Sequence, residues 1–272
     1  MREIEYYKKL DVLKHNLSRM EKVIIAFSGG VDSTFLLHVA YNVLGDNAIP
    51  VTVNSTIYPV RELNISVDFC RRIRLPQHII NFSELDNPKF CQNPPERCYI
   101  CKKELFGRIK SLATQLDVQH IVDGSNLDDI DDYRPGMQAL NELGIKSPLI
   151  DASLTKEDIR ELSQEFGLPT WDKPSFACLV SRIPYGQEIT KEKLSMIDKA
   201  EQYLLNLGFK QVRVRHHGEI ARIEVAPEER CRFTDVAFMD KVADELKLLG
   251  FTYVVLDLRG YRSGSMNETL KI

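Results

Sequence analysis

Val23-Ile24-Ile25-Ala26-Phe27-Ser28-Gly29-Gly30-Val31-Asp32-Ser33-Thr34-Phe35-Leu36-Leu37 is the stretch on which the fold turns. Its first five residues form a short apolar run, as a buried strand requires. From Val31 onward the apolar residues recur at helical spacing. Gly29 and Gly30 permit a tight turn and a close backbone approach, since neither carries a Cβ. A strand, a glycine turn and a helix N-terminus together make a concavity of N–H groups suited to an anion. Ser28 and Ser33 add hydroxyl donors, and Asp32 is placed to hold the loop or a magnesium ion. No lysine follows the second glycine at the Walker spacing, which argues against γ-phosphate transfer.

Outward from this turn, strand-like runs at 22–27, 48–53, 77–82 and 119–123, with a last short one near 147–150, alternate with helical runs. The helices are read at 31–44, 59–74, about 98–116, 136–143 and 155–166, after an amphipathic helix over 1–20 whose stripe is Leu10, Leu13, Leu17 and Met20. This alternation predicts an α/β fold, a doubly wound parallel sheet with its ligand at the strand C-termini. The irregular, proline-rich stretch from Pro169 to Gly186 reads as a boundary. It gives a domain over 1–170, a linker over 171–186 and a smaller C-terminal α+β domain over 187–272. The last has a helix at 190–207, strands at 211–216 and 220–225 in a hairpin turning near His217-Gly218, a helix at 234–249 and a strand at 252–257. The polar tail after Tyr261 is expected to be mobile. There is no internal repeat and no low-complexity segment.

The chain has 272 residues, 36 Lys and Arg against 39 Asp and Glu, and a net charge of -3. Such a balance argues against a surface built for nucleic acid. No apolar run approaches a membrane span, and Met1–Glu5 lacks the apolar core of a signal peptide. A cytoplasmic protein with reduced thiols or metal-bound cysteines, rather than disulfides, is therefore expected.

A second ligand loop follows the 119–123 strand, at the same sheet edge as the first: Gly124-Ser125-Asn126-Leu127-Asp128-Asp129. Asn126 can donate to phosphate, and Asp128 or Asp129 can hold magnesium against a leaving pyrophosphate. Arg134 offers a phosphate clamp, and Asn54 at the end of the second strand is an adenine-side candidate. Taken alone, the second loop reads better as an acidic surface turn with capping residues for the next helix; its place at the same sheet edge as the first loop decides for the ligand reading.

Three of the six cysteines invite chemistry. Cys98 and Cys101 form a CxxC at the start of a helical run, and Cys178 lies in Lys173-Pro174-Ser175-Phe176-Ala177-Cys178-Leu179-Val180-Ser181-Arg182. A CxxC serves as a redox pair, half a zinc site or two ligands of an iron–sulfur cluster. The thioredoxin-like context is missing and there is no second CxxC, although Cys91 keeps zinc open as a spare ligand. Three thiolates suit a [4Fe–4S] cluster with one open iron able to carry sulfide, and three unconnected thiols remain the plain alternative. Cys70 reads as a core residue, and Cys231 has little context.

The string Ser28–Ser33 resembles the SGGxDS signature of the PP-loop ATP pyrophosphatases, which split ATP between the α and β phosphates and adenylate a substrate oxygen. The Cys-Leu-x-Ser-Arg and Pro-Tyr-Gly of 173–186, with the Val-Arg-Val-Arg-x-His hairpin, narrows the likeness. Nearly end to end, the chain resembles the PP-loop sulfur transferases that mature the nickel-pincer cofactor of lactate racemase. That resemblance implies ATP, Mg2+ and a mononucleotide substrate, pyridinium-3,5-biscarboxylic acid mononucleotide, whose carboxylates become thiocarboxylates. By adding Cys98 and Cys101 the sequence looks like the three-cysteine branch, implying a [4Fe–4S] cluster on Cys98, Cys101 and Cys178 and sulfide or another donor as the sulfur source. In single-cysteine relatives the counterpart of Cys178 gives up its own sulfur, and nearby Arg182 would favour such a thiolate. The resemblance also implies a phosphate grip built on Arg213 and Arg215, which alternate onto one strand face, with Arg182 and Arg222 joining and Glu201 and Glu224 as secondary candidates. It implies a homo-oligomer, a hexamer by family likeness.

Three rivals frame this reading. A tRNA-thiolating PP-loop enzyme would want a basic, aromatic face for unpaired bases. An amidating synthetase would need ammonia and no cysteines at these positions. A nucleotide sensor would bind ATP without releasing pyrophosphate.

Overall fold

The computed structural model describes residues 2–130, 135–174, 176–262 and 264–269. The chain divides into two compact units. Unit 1 holds the residues up to Ser83 and Glu96–Phe176; unit 2 holds Glu84–Pro95 and the residues from Ala177 on. Residues 84–95, read from sequence as part of the first domain, thus belong with the C-terminal unit.

In chain order the elements are α1 (Arg2–Ser18), β1 (Val23–Ala26), α2 (Val31–Leu44), β2 (Ala48–Asn54), α3 (Val60–Arg72), β3 (His78–Asn81), α4 (Pro88–Cys91), α5 (Arg97–Gln115), β4 (His120–Val122), α6 (Pro135–Leu143), α7 (Pro148–Asp151) and α8 (Lys156–Glu165). Beyond them come α9 (Lys191–Asn206), β5 (Val212–His217), β6 (Ile220–Val225), α10 (Val236–Leu248) and β7 (Tyr253–Leu256).

Unit 1 is built on a fully parallel sheet in the order β3-β2-β1-β4. The apolar run of β1 is buried on both faces, as parallel strands between helices must be. Val23 and Ile25 join one core with Leu10, Leu13 and Leu17 of α1 and with Phe35, Leu36 and Leu37 of α2. Ile24 points the other way, into a core with Leu105, Phe106 and Ile109 of α5 and Leu140 of α6. Cys70 on α3 belongs to the first core, where burial pushes its thiol up to about 12. The order reverses between β1 and β4, since β2 and β3 extend to one side of β1 and β4 pairs on the other. A doubly wound sheet opens its ligand crevice at such a switch point.

The strand expected near 147–150 is absent. Ser147 precedes Pro148 at the first position of α7, where its fixed φ suits a helix start. What remains of the expected pairing is one bridge, Val122 with Lys146.

Unit 2 carries a three-stranded sheet in the order β5-β6-β7, with an antiparallel β5–β6 hairpin and β7 parallel to β6 after the α10 crossover. Val212, Val214, Ile223 and Val225 face a core with Leu204 of α9 and Leu246 of α10. Segment 84–95 is stitched to 183–189. Asn93, buried and at φ +56, donates to the carbonyls of Ile183 (3.3 Å) and Pro184 (2.8 Å), and its own carbonyl accepts from Gly186 N (2.9 Å). The tail is not the free segment expected. Residues 265–269 form a 3-10 turn, and Ser265 and Met266 are buried. Among the described residues no helix is long and apolar enough to cross a membrane.

Candidate active site

The two sequence-predicted loops of unit 1 meet at the switch point. Residues 28–33 leave β1 and residues 124–129 leave β4, its immediate neighbour. Gly29 sits at φ +72, and a Cβ there would lie 3.2 Å from the Ser66 backbone nitrogen of α3. Gly124 is the closer fit: a Cβ on it would stand 3.0 Å from the Ser33 nitrogen and 3.2 Å from its Cα. The second loop therefore rests backbone against backbone on the first turn of α2, where any Cβ would be crowded. Inside the first loop the hydroxyls of Ser28 and Ser33 stand 3.1 Å apart, and Ser28 Oγ accepts from Gly30 N at 3.4 Å. No side chain caps the N-terminus of α2, where Gly30 is the N-cap. Its leading N–H groups are the type of donor a phosphate takes.

Asp32 faces across to the second loop. Its carboxylate accepts from Asn126 Nδ2 at 3.2 Å and from Lys156 Nζ at 2.5 Å. Asp128 accepts the backbone N–H of Lys156 at 2.9 Å, while Asn126 and Asp129 cap the turn 127–129 reciprocally. Asn54 is exposed at the end of β2 and donates to Asn81 at 2.9 Å. Arg134 lies outside the described residues. Two lysines escaped the sequence reading. Lys156 opens α8, and Lys173 donates to the Gly29 carbonyl (2.9 Å) and to Glu62 (2.7 Å). The available signal for Lys156 was the capping box around it, Thr155 with Asp158, which fixes the start of α8.

Of the cysteines, Cys98 and Cys101 stand one turn apart at the start of α5 in unit 1, Cys98 exposed and Cys101 buried. That i, i+3 placement puts both thiols on one helix face, as a shared metal group requires. Cys178 belongs to unit 2 and is half-buried. Among the described residues no group of three or more His, Cys, Asp or Glu side chains converges as metal ligands.

Arg182 has a commitment that the sequence reading did not include. It is fully buried and grips Glu201, also fully buried, through Nε (2.8 Å) and Nη2 (3.0 Å). Its remaining nitrogen donates to the carbonyls of Ala177 (2.8 Å) and Cys178 (2.9 Å) and to Ser181 Oγ (2.8 Å). The guanidinium thus shapes the loop that carries Cys178 through that residue's carbonyl and is consumed in doing so. Burial opposes ionisation of Glu201, yet Arg182 and Arg213, with the Val214 N–H, hold its carboxyl below the ordinary value.

Arg213 and Arg215 occupy one face of β5, as their alternation predicted, and both are buried. Arg213 stacks on Tyr261 at 5.0 Å; burial, with Arg182 nearby, lowers its pKa. Arg215 donates to Glu224 (2.7 Å), to Ser265 Oγ (3.1 Å) and to the Ser181 carbonyl (3.1 Å), while its Nε is buried with no hydrogen-bond partner among the described residues. Arg222 adds a second bond to Glu224 at 3.0 Å. On this face the arginines 182, 213, 215 and 222 outnumber the carboxylates of Glu201, Glu224 and Asp257, an imbalance suited to an anion.

Paired anion-facing loops at the switch point of a parallel sheet, with no Walker lysine, define a nucleotide-binding α/β protein of the PP-loop class. No protein-family model matches the chain. It is 39% identical, over 93% of its length and 92% of the other, to the pyridinium-3,5-bisthiocarboxylic acid mononucleotide synthase of Lactiplantibacillus plantarum. It is 43% identical, over 96% and 98%, to an uncharacterized protein of Synechocystis. A more distant likeness, 30% identity over 70% of this chain and 58% of the relative, joins it to a glutamine-hydrolyzing GMP synthase component of Saccharolobus solfataricus. The chain belongs to the PP-loop family that contains the Lactiplantibacillus plantarum synthase.

Proposed function

We propose that this protein is an ATP-dependent sulfur transferase that converts the carboxylates of pyridinium-3,5-biscarboxylic acid mononucleotide to thiocarboxylates. The observation that carries the substrate is the near full-length 39% identity to the synthase named for the bisthiocarboxylic product. The paired loops at the β1/β4 switch point support ATP as the activating partner.

A carboxylate resists a sulfur nucleophile because it is anionic and its oxygen leaves poorly; adenylation removes both faults. A substrate carboxylate oxygen attacks the α-phosphorus, and the bond to pyrophosphate breaks. The N–H groups of residues 29–33 and the hydroxyls of Ser28 and Ser33 hold the phosphates. Asn126 orients the site, and Asp32 with Asp128 holds Mg2+ when it is bound. Positioning and charge neutralisation supply most of the acceleration. Asn54 is assigned to the adenine side.

Sulfur then displaces AMP. Cys98, Cys101 and Cys178 would hold a [4Fe–4S] cluster, which when bound carries sulfide on an iron without a protein ligand; the pair of thiols one turn apart on α5 supports this reading. In the sacrificial alternative Cys178 itself attacks as thiolate and ends as dehydroalanine. Unit 2 supplies the grip for the substrate phosphate through Arg213 and Arg215, supported by the excess of buried guanidinium on that face, and is assigned the homo-oligomer contacts.

The test is anaerobic turnover of iron-reconstituted protein with ATP, magnesium, the biscarboxylate mononucleotide and isotopically labelled sulfide, read by mass spectrometry. Labelled thiocarboxylate with Cys178 intact supports the cluster route. Unlabelled product with dehydroalanine at 178 supports the sacrificial one. Absence of both AMP and thiolated product overturns the substrate assignment.

A further inference from the structure

Two ammonium groups are seen in contact with residues 28–33, and they are held differently. Lys173 is committed to a backbone carbonyl and to Glu62, both bonds at normal length and both side chains mostly buried. Among the described residues Lys156 is bonded at its Nζ to Asp32 alone, and both partners keep about a quarter of their side-chain surface in water, 26% and 23%. The backbone N–H of the same residue donates to Asp128. One residue therefore engages a carboxylate from each loop, Asp32 and Asp128. Its main chain is fixed there by the Thr155–Asp158 capping box, which is pinned in turn by Lys9 at 2.7 Å from Asp158. Only the flexible stem and its charge are free to move.

An arrangement of this kind makes an exchangeable counter-ion. An ammonium on a part-solvated carboxylate is bound weakly. A divalent cation delivered with the triphosphate competes for that carboxylate with twice the charge. An ammonium so displaced is drawn to the β and γ phosphates that the loops would hold, where negative charge grows as the bond to the α-phosphorus breaks. We propose that Lys156 is a catalytic residue of adenylation: it neutralises Asp32 in the empty site and transfers to the leaving pyrophosphate when metal–nucleotide binds. When the substrate oxygen bonds to the α-phosphorus, the electron pair of the broken bond leaves on pyrophosphate, and Lys156 takes up that added charge. This rests on the adenylating function proposed above.

The test uses full-length protein and three measurements. Titration calorimetry with magnesium pyrophosphate should show binding to the wild type and at least tenfold weaker binding to Lys156→Met, with partial recovery in Lys156→Arg, as loss of a charge-assisted contact predicts. AMP formation should fall about 100-fold in kcat, the scale for one lost transition-state donor, with KM for the mononucleotide unchanged. Paramagnetic resonance of added manganese without nucleotide should show tighter binding to Lys156→Met, because Asp32 has lost its internal cation. A lysine with a purely structural role would weaken manganese binding instead. Unchanged pyrophosphate affinity, or weakened manganese binding, in a variant with wild-type circular dichroism overturns the proposal; Lys156→Gln serves if the methionine variant does not fold. Pyrophosphate binding that depends on Lys156 without any thiocarboxylate product would leave this proposal standing and remove the substrate assignment.

Discussion

Two ion pairs, one in each unit, show how solvation sorts the same chemistry into opposite roles. Asp32–Lys156 keeps about a quarter of each side chain in water; Arg182–Glu201 keeps none. The first has one contact per partner at its charged tips beyond Asn126. The second is bidentate, with every arm of the guanidinium spoken for by Ala177, Cys178, Ser181 and Glu201. A part-solvated pair contributes at most about 1 kcal/mol and is free to exchange partners. A buried pair contributes little net stability either, but removal of one member strands a charge in a low-dielectric core. The pair at residues 28–33 is thus open to exchange of partners, and the pair behind the Cys178 loop is not.

The comparison breaks most visibly at Arg182. Arg182→Met should cost about 3–5 kcal/mol in urea unfolding, because Glu201 stays buried without its partner. The double change with Glu201→Leu should recover most of that loss. A small effect of the single change would show that Glu201 has access to water.

Next in size is Gly124→Ala. The added methyl meets the Ser33 backbone nitrogen, which cannot swing aside as a side-chain tip would, so overpacking of about 1–3 kcal/mol is expected. It should appear as weakened ATP binding in calorimetry. Binding equal to wild type would mean that the loops separate freely.

Asp32→Asn sharpens the contrast from the other side. Stability should change by less than about 1 kcal/mol, since the lost pair is part-solvated. AMP formation should nevertheless collapse, measured by chromatography of the reaction products.

The smallest effect concerns pH. Burial, with Lys193 nearby, lowers the pKa of His216 below its ordinary value of 6.5, and burial does the same for His217 and His38. The unfolded chain then binds more protons than the native one just below pH 6.5. The contribution is complete above that pH and is lost as pH falls toward the folded values. His216→Phe, against Phe251 at 5.5 Å, should give a shallower fall in melting temperature between neutral and mildly acidic buffer.

Most elements were legible because their signals were local. The glycine turn at 29–30, the alternation of Arg213 and Arg215 and the stripe of Leu10, Leu13 and Leu17 each state a backbone or a face directly. The strand expected near 147–150 is absent because Ser147-Pro148-Leu149-Ile150 is too short to carry a period of its own, and Pro148 favours a helical turn. Lys156 was overlooked because a lysine at a helix start resembles any solvated surface residue; only the fold reveals that it meets Asp32, 124 positions away. The commitment of Arg182 to Glu201 is not legible because the two lie 19 positions apart with no pattern that pairs them. The tail failed for a related reason: Ser265 gains a buried partner in Arg215, 50 residues earlier.

Asn93 joins Ile183 and Pro184 across 90 positions of sequence, so segment 84–95 has no finished surroundings when it leaves the ribosome. At ordinary elongation rates it waits roughly five to twenty seconds for the residues that enclose it. A gene cut after residue 176 would therefore not yield a free-standing nucleotide module. It would leave Phe90 and Asn93 exposed as a sticky flap in the middle of the product. Gene fusions or split versions of this protein should be joined at chain ends or surface turns, never at the apparent boundary after Phe176.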